Sequence, residues 1–362
     1  MTRQPALGVA VALTVLLCGA AGCAREKRSD AALSDTTVVT QPRLVFAEHR
    51  DGVTTFWSAR PDEPADRRQI ATVRHDPDWG IRASLSPDGR RIAYTAMPPG
   101  GRDPDGESVL TIFDLDGRTS RRPATGIDAR TTPVWRGDDR VIVQRRGPIG
   151  AGVLVEVEAD GKERPLLAAE AGRRLFPIGI APDGRLYVAD LGSQETRLRV
   201  VDAKGAVYDT GQLADGPTRG FVLAPDGLSL AFLSLVPSDG ARRYQAHVID
   251  LNSKEVRPLR PDRTRTEDTG VLWSGDGFAV SAVDGETGIL LGVSPEQDRA
   301  RTSGFDAATV ATADGHWTAV RAFESGNPNA PGPEQLQLVS DDGRRTTVSA
   351  AGGVTVIGWT ES

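Results

Sequence analysis

Few side chains of this 362-residue chain combine a reactive type with a spacing that could do chemistry. The four histidines are far apart, so no pair has the short spacing of zinc ligands; they are His49, His75, His247 and His316. The chain also lacks the Gly-x-Ser-x-Gly motif that presents the nucleophile in many hydrolases. We therefore predict no catalytic residue, no metal and no cofactor, and we expect that the chain is not an enzyme.

Carboxylates provide the alternative to that expectation. The chain has 49 aspartate and glutamate residues, and two carboxyl groups that face each other across a cleft can cleave a glycosidic bond. The two carboxylates of such a pair can come from any two positions in the chain, so the sequence alone does not identify them. The alternative function is therefore an enzyme that processes a glycan or a small molecule with carboxylates in a central funnel.

Both cysteines lie near the N-terminus, in a segment with its own pattern. Arg3 precedes an apolar run over 6–17, and small residues follow, which is typical of a signal peptide. The ending AAGC resembles a bacterial lipobox, with Ala20 where leucine is usual. The resemblance implies a signal peptide over 1–22 and lipidation of Cys23, whereas the alternative is an ordinary signal peptide cut after Ala20 or Ala24. We expect export, with a lipid anchor on the outer face of a bacterial membrane.

The composition limits the remaining classes of protein. The polar stretch over 23–41 predicts a flexible tether. A formal charge of -6 provides no basic surface for nucleic acid. The 40 glycines and 24 prolines suit a β protein with many turns. After Cys23 no cysteine remains, so a domain over 42–362 depends on its core and has no disulfide.

One turn returns along that domain. The stretch SPDGRRIAY over 86–94 has counterparts whose aspartates are 38 to 50 residues apart; the aspartates are Asp88, Asp138, Asp183, Asp226, Asp276 and Asp314. Proline, aspartate and glycine suit successive positions of a tight turn. At the second corner, Asp139 stands where glycine is expected, and we predict that it takes the left-handed conformation. A period of this length is typical of a propeller blade with four strands.

The two ends of the domain predict how the ring closes. The C-terminal stretch GVTVIGWTES matches a first strand, and its Trp359 aligns with Trp135 and Trp273. The stretches 42–49, 54–63 and 67–73 match a second, third and fourth strand. We predict an all-β fold, a seven-bladed β-propeller of four-stranded blades in which the N- and C-terminal strands share one blade. Six or eight blades are the alternatives.

The SPDGRRIAY type of repeat resembles the WD40-like repeat of the TolB C-terminal propeller and its relatives. The resemblance covers residues 42–362. It implies the propeller fold and, by analogy, a binding module. TolB also has a separate N-terminal α/β domain, where this chain has only the tether.

Loop lengths predict where function lies. In a four-stranded blade the Asp-Gly corners and the third-to-fourth turns share one face, which we name the corner face. The second-to-third loops and the links between blades form the opposite, long-loop face, with long segments at 74–80, 97–108, 236–243, 260–269 and 324–334. Long loops on a rigid scaffold often carry function. The predicted contact residues are His75, Asp76, Asp78, Trp79, Arg102, Arg130, Arg242, Arg263 and Arg265.

We therefore expect an exported, membrane-anchored binding or scaffold propeller. Its partners would be the membrane, through the lipid on Cys23, and a protein, a peptide or an envelope component on the long-loop face. Nucleic acid is not expected as a partner, and we expect a monomer.

Overall fold

The computed structural model describes residues 41–103, 106–146, 151–238, 241–261, 266–284, 287–292 and 294–360, and most of them form β-strands. These residues contain no α-helix, and a short 3-10 turn lies at Pro295–Gln297. The predicted signal peptide, residues 23–40 of the tether with Cys23, and Arg263 and Arg265 lie outside the described residues.

The strands of the first half, in chain order, are β1 (Leu44–Arg50), β2 (Val53–Ala59), β3 (Arg68–Arg74), β4 (Arg82–Leu85), β5 (Arg91–Ala96), β6 (Ser108–Asp114), β7 (Ser120–Ile127), β8 (Val134–Arg136), β9 (Arg140–Arg146), β10 (Gly152–Glu158), β11 (Glu163–Ala168), β12 (Arg174–Ile180), β13 (Leu186–Leu191), β14 (Glu195–Val201) and β15 (Val207–Asp215). Those of the second half are β16 (Thr218–Leu223), β17 (Ser229–Ser238), β18 (Ala241–Asp250), β19 (Val256–Pro258), β20 (Glu267–Ser274), β21 (Gly277–Asp284), β22 (Thr287–Leu291), β23 (Arg299–Ala300), β24 (Phe305–Ala311), β25 (Trp317–Phe323), β26 (Gly326–Asn327), β27 (Ala330–Pro331), β28 (Glu334–Ser340), β29 (Arg345–Ser349) and β30 (Val354–Trp359).

Antiparallel sheets repeat along the chain. Four sheets use strands that follow one another or nearly so, in the orders β12-β13-β14-β15, β16-β17-β18-β19, β20-β21-β22-β23 and β24-β25-β28-β29. One larger sheet contains β4 to β11, because Ile127 at the end of β7 pairs with Arg145 on β9. We call it the joined sheet.

The two ends of the domain form a common sheet, as the sequence predicts. Its strand order is β3-β2-β1-β30, and we call it the closing sheet. Leu44 pairs with Trp359, and Phe46 pairs with Val356. These backbone pairs occupy the edge that β1 would otherwise expose.

The first strands of successive sheets form a ring. β30 contacts β4, β4 contacts β8, and the contacts continue through β12, β16, β20 and β24 back to β30. Side chains between neighbouring sheets form the core. For example, Leu198 packs with Leu230 and Phe232 of the next sheet, and Leu44 packs with Leu336 and Leu338 across the closure.

Four corner aspartates accept hydrogen bonds within their own turns, and the corners of Asp138 and Asp276 differ because the glycine before the aspartate, Gly137 or Gly275, is the left-handed residue. The Asp183 and Asp226 carboxylates accept bonds from backbone N–H groups two residues later, at 3.1 and 2.8 Å. The prediction for Asp139 is wrong: Gly137 takes the left-handed conformation with φ 63°, and Asp139 does not. Because glycine adopts that conformation without a steric cost, the turn between β8 and β9 uses the glycine that precedes the aspartates.

Two of the segments expected to be long loops are regular. Residues 236–238 continue β17 and residues 241–243 belong to β18, and Pro237 pairs with Arg242. The segment 324–334 contains the two-stranded ribbon of β26 and β27. The β17–β18 pair extends its sheet toward the long-loop face, and the ribbon is a separate sheet between β25 and β28 in the chain.

Candidate binding face

A chain of polar side chains crosses the closing sheet at its long-loop end. The Thr54 hydroxyl oxygen on β2 lies 2.7 Å from Nδ1 of His49 on β1 and 2.8 Å from Nε2 of His75, which follows β3. His49 Nε2 lies 2.8 Å from the hydroxyl oxygen of Thr355 on β30. These contacts therefore link β30, β1, β2 and the segment after β3, which join the two ends of the domain.

One arrangement of protons satisfies this whole chain. His75 Nδ1 lies 2.7 Å from the backbone oxygen of Asp76, and a carbonyl oxygen only accepts, so this nitrogen donates. With neutral imidazoles, Thr54 donates to His75 Nε2, His49 Nδ1 donates to Thr54, and Thr355 donates to His49 Nε2. All four ring nitrogens are engaged, so the arrangement anchors the loops.

The surroundings of His49 favour its neutral form. Burial lowers the pKa of His49, and nearby His75 and Arg82 lower it further, whereas Glu334 acts in the opposite direction. At neutral pH the imidazole is therefore uncharged, in agreement with the arrangement of protons above.

The loop after β3 has a buried base and an exposed tip. His75 and Asp76 are only 4% and 9% exposed. The Asp76 carboxylate accepts a hydrogen bond from the Asp78 backbone N–H at 3.1 Å. Asp78 is exposed and Trp79 is half-buried. His75 and Asp76 thus hold the loop, and Asp78 and Trp79 are the predicted contact residues that a partner could reach.

Arg102 and Arg242 lie on other parts of this face. Both are exposed, Arg102 in the loop before β6 and Arg242 near the end of the β17–β18 hairpin. Among the described residues no hydrogen bond or ion pair joins either side chain to the loop of Trp79. The predicted contact residues are therefore spread over the face and do not form one cluster.

Arg130 belongs to a small depression that is rich in arginine. Its volume is about 220 Å³, and its lining residues are Asp128, Arg130, Gln144, Arg145, Arg146, Gly152, Arg173 and Arg174. Asp128, only 1% exposed, accepts bonds from Arg130 Nε at 2.9 Å and Gln144 Nε2 at 3.0 Å. The buried carboxylate thereby holds the Arg130 guanidinium at the wall. We name this feature the arginine depression.

Most arginines of the depression also have acidic partners. Arg145 pairs with Glu163 at 2.5 Å, and Arg146 pairs with Asp103 at 3.0 Å. Arg173 bonds to Asp190 at 2.7 Å. Arg174 is exposed and pairs with no acidic side chain of the described residues.

Sequence reasoning missed several of these residues. Thr54 and Thr355 gave no signal, because their meaning depends on histidines far away in sequence. Asp128 lies in a link of ordinary composition. Arg82 and Arg174 are each the first residue of a first strand, but Arg82 is six residues before its corner aspartate and Arg174 is nine before its own, so an alignment of the corners does not bring them together.

Two features are absent from the residues that the structure describes. No group of three or more histidine, aspartate or glutamate side chains there could hold a metal ion. No helix in that part of the chain is long and apolar enough to span a membrane.

Comparison with known proteins identifies the fold. No family model matches the sequence, and no curated protein matches it. Solved structures do match. TolB from Acinetobacter baumannii is 14% identical with a TM-score of 0.53, over 88% of this chain and 66% of that one. An oligogalacturonate lyase in complex with manganese is 16% identical with a TM-score of 0.57, over 86% and 85%.

A prolyl endopeptidase is a third similar structure. It is 13% identical with a TM-score of 0.57, over 88% of this chain and 49% of that one. The chain thus spans about two thirds of the TolB chain and about half of the endopeptidase. Identities this low bear on the fold alone, and the fold is an all-β propeller similar to that of TolB.

These neighbours correct one expectation. We expected that the chain is not an enzyme, and the endopeptidase and the lyase contradict the expectation, because enzymes share this propeller fold. The reasoning failed because it searched for nucleophile and zinc motifs, and a fold does not determine function. The carboxylate-dependent enzyme stays a prediction.

Proposed function

We propose that this chain is an exported, membrane-anchored propeller that binds a protein, a peptide or an envelope component on its long-loop face. TolB among the structural neighbours supports a binding or scaffold role. The signal-peptide pattern and the AAGC ending that implies lipid on Cys23 support export and anchoring.

The proposal includes seven blades. The joined sheet counts as two of them, because β4 to β7 and β8 to β11 each have the four-strand order of the other sheets and meet at the single pair of Ile127 and Arg145. The ring of contacts among the first strands supports closure. The pairing of Leu44 with Trp359 supports one blade shared by both ends.

One observation carries the choice of face. The loop of Asp78 and Trp79 has an exposed tip on a buried, hydrogen-bonded base. A partner that docks there would meet residues whose backbone is already ordered, so binding would cost little ordering entropy. Tryptophan and arginine are also frequent anchors of interfaces, and Arg102, Arg130 and Arg242 lie on the same face.

Affinity capture from solubilised membranes, read by quantitative mass spectrometry, tests the docking face. Trp79→Ala should reduce recovery of the main partner by about tenfold or more, since a central aromatic anchor contributes on the order of 2 kcal/mol. Tyr208→Ala is the matched control: Tyr208 is aromatic and 53% exposed, and it lies on β15 at the corner end. Equal recovery with Trp79→Ala and wild type would refute the face.

The anchor has its own test. Cys23→Ala should release the protein from membranes into the soluble fraction, because the lipid would be its attachment. A variant that remains in the membrane fraction would refute lipidation at Cys23 and would leave the docking face untouched.

A further inference from the structure

A cavity of about 610 Å³ lies inside the ring of first strands. Its walls come from four consecutive first strands, β4, β8, β12 and β16. Many of the lining side chains are apolar, among them Leu85, Val134, Phe176, Ile178 and Phe221. All five are only half-buried, so part of their apolar surface remains uncovered.

The size and lining of the cavity suit a small ligand. Sites for small molecules are typically roughly 300–1,000 Å³ and mostly apolar, with a few polar groups that fix orientation. Burying the exposed parts of two phenylalanines and three aliphatic side chains would favour an apolar arm, at about 25 cal/mol for each Å² covered. An apolar arm alone would give little specificity.

Two arginines supply a polar end. Arg174 and Phe176 lie on the same side of β12, because side chains two positions apart share a face of a strand. Arg174 is therefore about 7 Å from Phe176 along the strand, toward the long-loop face. On β4 the same spacing relates Arg82 to Ser84, which also lines the cavity. Both arginines are exposed, and neither pairs with an acidic side chain of the described residues.

A third cation lies beside them. Arg130 and Arg174 both line the arginine depression, and the buried Asp128 holds Arg130 in position. Arg82 on β4, Arg130 in the link before β8 and Arg174 on β12 thus each place a guanidinium near the long-loop end of the cavity. Guanidinium groups bind carboxylate and phosphate oxygens well, because their N–H groups match the spacing of those oxygens.

The next first strand provides an internal contrast. Arg219 on β16 is two residues before Phe221, as Arg174 is before Phe176. Its guanidinium carbon lies 3.7 Å from the centre of the Tyr244 ring on β18, so the side chain extends across its own sheet. Arg219 is therefore outside the proposed site and is a natural control.

We propose that the channel binds a small amphiphilic anion. Its apolar arm occupies the cavity between Phe176 and Phe221, and its carboxylate or phosphate lies against Arg82 and Arg174. The site goes beyond the docking face, because it needs no protein partner.

Isothermal titration of the purified full-length chain tests the site with three probes that share one apolar arm: octanoate, octyl phosphate and the uncharged 1-octanol. We expect at least one anion to bind about tenfold or more tightly than the alcohol, because a charge-assisted pair contributes on the order of 1.4 kcal/mol or more. The tighter of the two anions identifies the head group. Absence of saturable binding, or equal binding of alcohol and anions, would overturn the proposal.

Variants separate the two halves of the site. The double variant Arg82→Gln with Arg174→Gln should weaken anion binding about tenfold and leave the alcohol unchanged. Phe176→Ala should weaken all three probes. Arg219→Gln should leave every affinity within about twofold of wild type. An equal loss in Arg219→Gln and in the double variant would mean that general surface charge is responsible, and would overturn the site.

Discussion

The two faces of this propeller are built differently. On the corner face the same local turn recurs, and its hydrogen bonds connect residues two apart in sequence, as at Asp183 and Asp226. On the long-loop face the contacts join distant segments, such as His49 with Thr355 and Arg146 with Asp103. The corner face therefore mainly serves the scaffold, whereas the long-loop face differs from sheet to sheet and has room for specificity.

Glycine substitutions should show the largest difference between the faces. Gly227, at a corner, has φ 70°, and a Cβ there would lie 2.7 Å from the Cβ of Ala181. Gly172, in a long-loop link, has φ 76° with open space around it. Gly227→Ala should cost about 2–4 kcal/mol, from backbone strain plus overpacking. Gly172→Ala should cost about 1 kcal/mol, from strain alone.

Urea unfolding of the two glycine variants measures both costs. Equal losses of stability would mean that the corners are not packed against one another. The comparison between the faces would then lose its structural basis.

A buried acid on the long-loop side should make stability depend on pH. Burial raises the pKa of Asp268 from 3.8 to about 6, and hydrogen bonds from the Ala246 N–H and the Thr266 hydroxyl only partly oppose this rise. Because the folded-state pKa is raised, the protonated form stabilises the fold below pH about 4, and this contribution is lost as pH rises through about 6. Between low and neutral pH, wild type should therefore lose on the order of 3 kcal/mol of stability that Asp268→Asn does not lose.

Unfolding of wild type and Asp268→Asn at pH 4 and pH 7.5 tests this dependence. The free energy of unfolding of Asp268→Asn, relative to that of wild type, should be higher at pH 7.5 than at pH 4. A constant difference between the two proteins across this range would contradict the raised pKa.

Two histidines should respond to pH with opposite signs. His49, on the long-loop face, has a lowered pKa because of burial, His75 and Arg82, with Glu334 opposing. Its contribution to stability is present above pH about 6.5 and is lost as pH falls. His316, on the corner face, has a raised pKa because it hydrogen-bonds to Asp341. Its contribution is present below pH about 6.5 and is lost as pH rises.

Urea midpoints between pH 5 and pH 8 distinguish these histidines. As the pH falls toward 5, the urea midpoint of His49→Gln should decrease less than that of wild type. His316→Gln should have a smaller effect of opposite sign, since the pair with Asp341 is exposed. Slopes of the same sign for the two variants would contradict the assignment.

The smallest effects should come from single aspartates. Asp226→Ala removes a side-chain acceptor from a corner turn and should cost about 1 kcal/mol. Asp78→Ala, at the exposed loop tip, should change stability by less than about 0.5 kcal/mol. Thermal unfolding measures both, and a larger loss in Asp78→Ala would make that loop part of the scaffold.

Local patterns allowed much of the fold to be predicted. The Pro-Asp-Gly corners and the alternation in strands such as β14 depend on neighbours in sequence, so they are visible in it. The pairing of Leu44 with Trp359 followed from counting strand positions. The position of the left-handed residue was not foreseen at two corners, where Gly137 and Gly275 precede the aspartate.

The candidate site was less visible for the opposite reason. The long-loop face was predicted from loop length, but the partners of its residues are far away: Thr355 is 306 positions from His49. Arg174 and Arg219 each precede a phenylalanine of a first strand by two residues, and three-dimensional packing distinguishes them, because the Arg219 guanidinium lies over the Tyr244 ring. Sequence therefore indicated the face and could not identify the groups that cooperate on it.

Masking one face at a time tests the central claim, that partners bind the long-loop face. Cys18 and Cys23 are the only native cysteines, so Asp78→Cys and Asp116→Cys each add one thiol that can carry polyethylene glycol, on the long-loop and corner faces respectively. We predict that labelling at position 78 abolishes partner recovery from solubilised membranes and that labelling at position 116 leaves it at the wild-type level. Recovery that survives the label at 78 and is lost with the label at 116 would contradict the account.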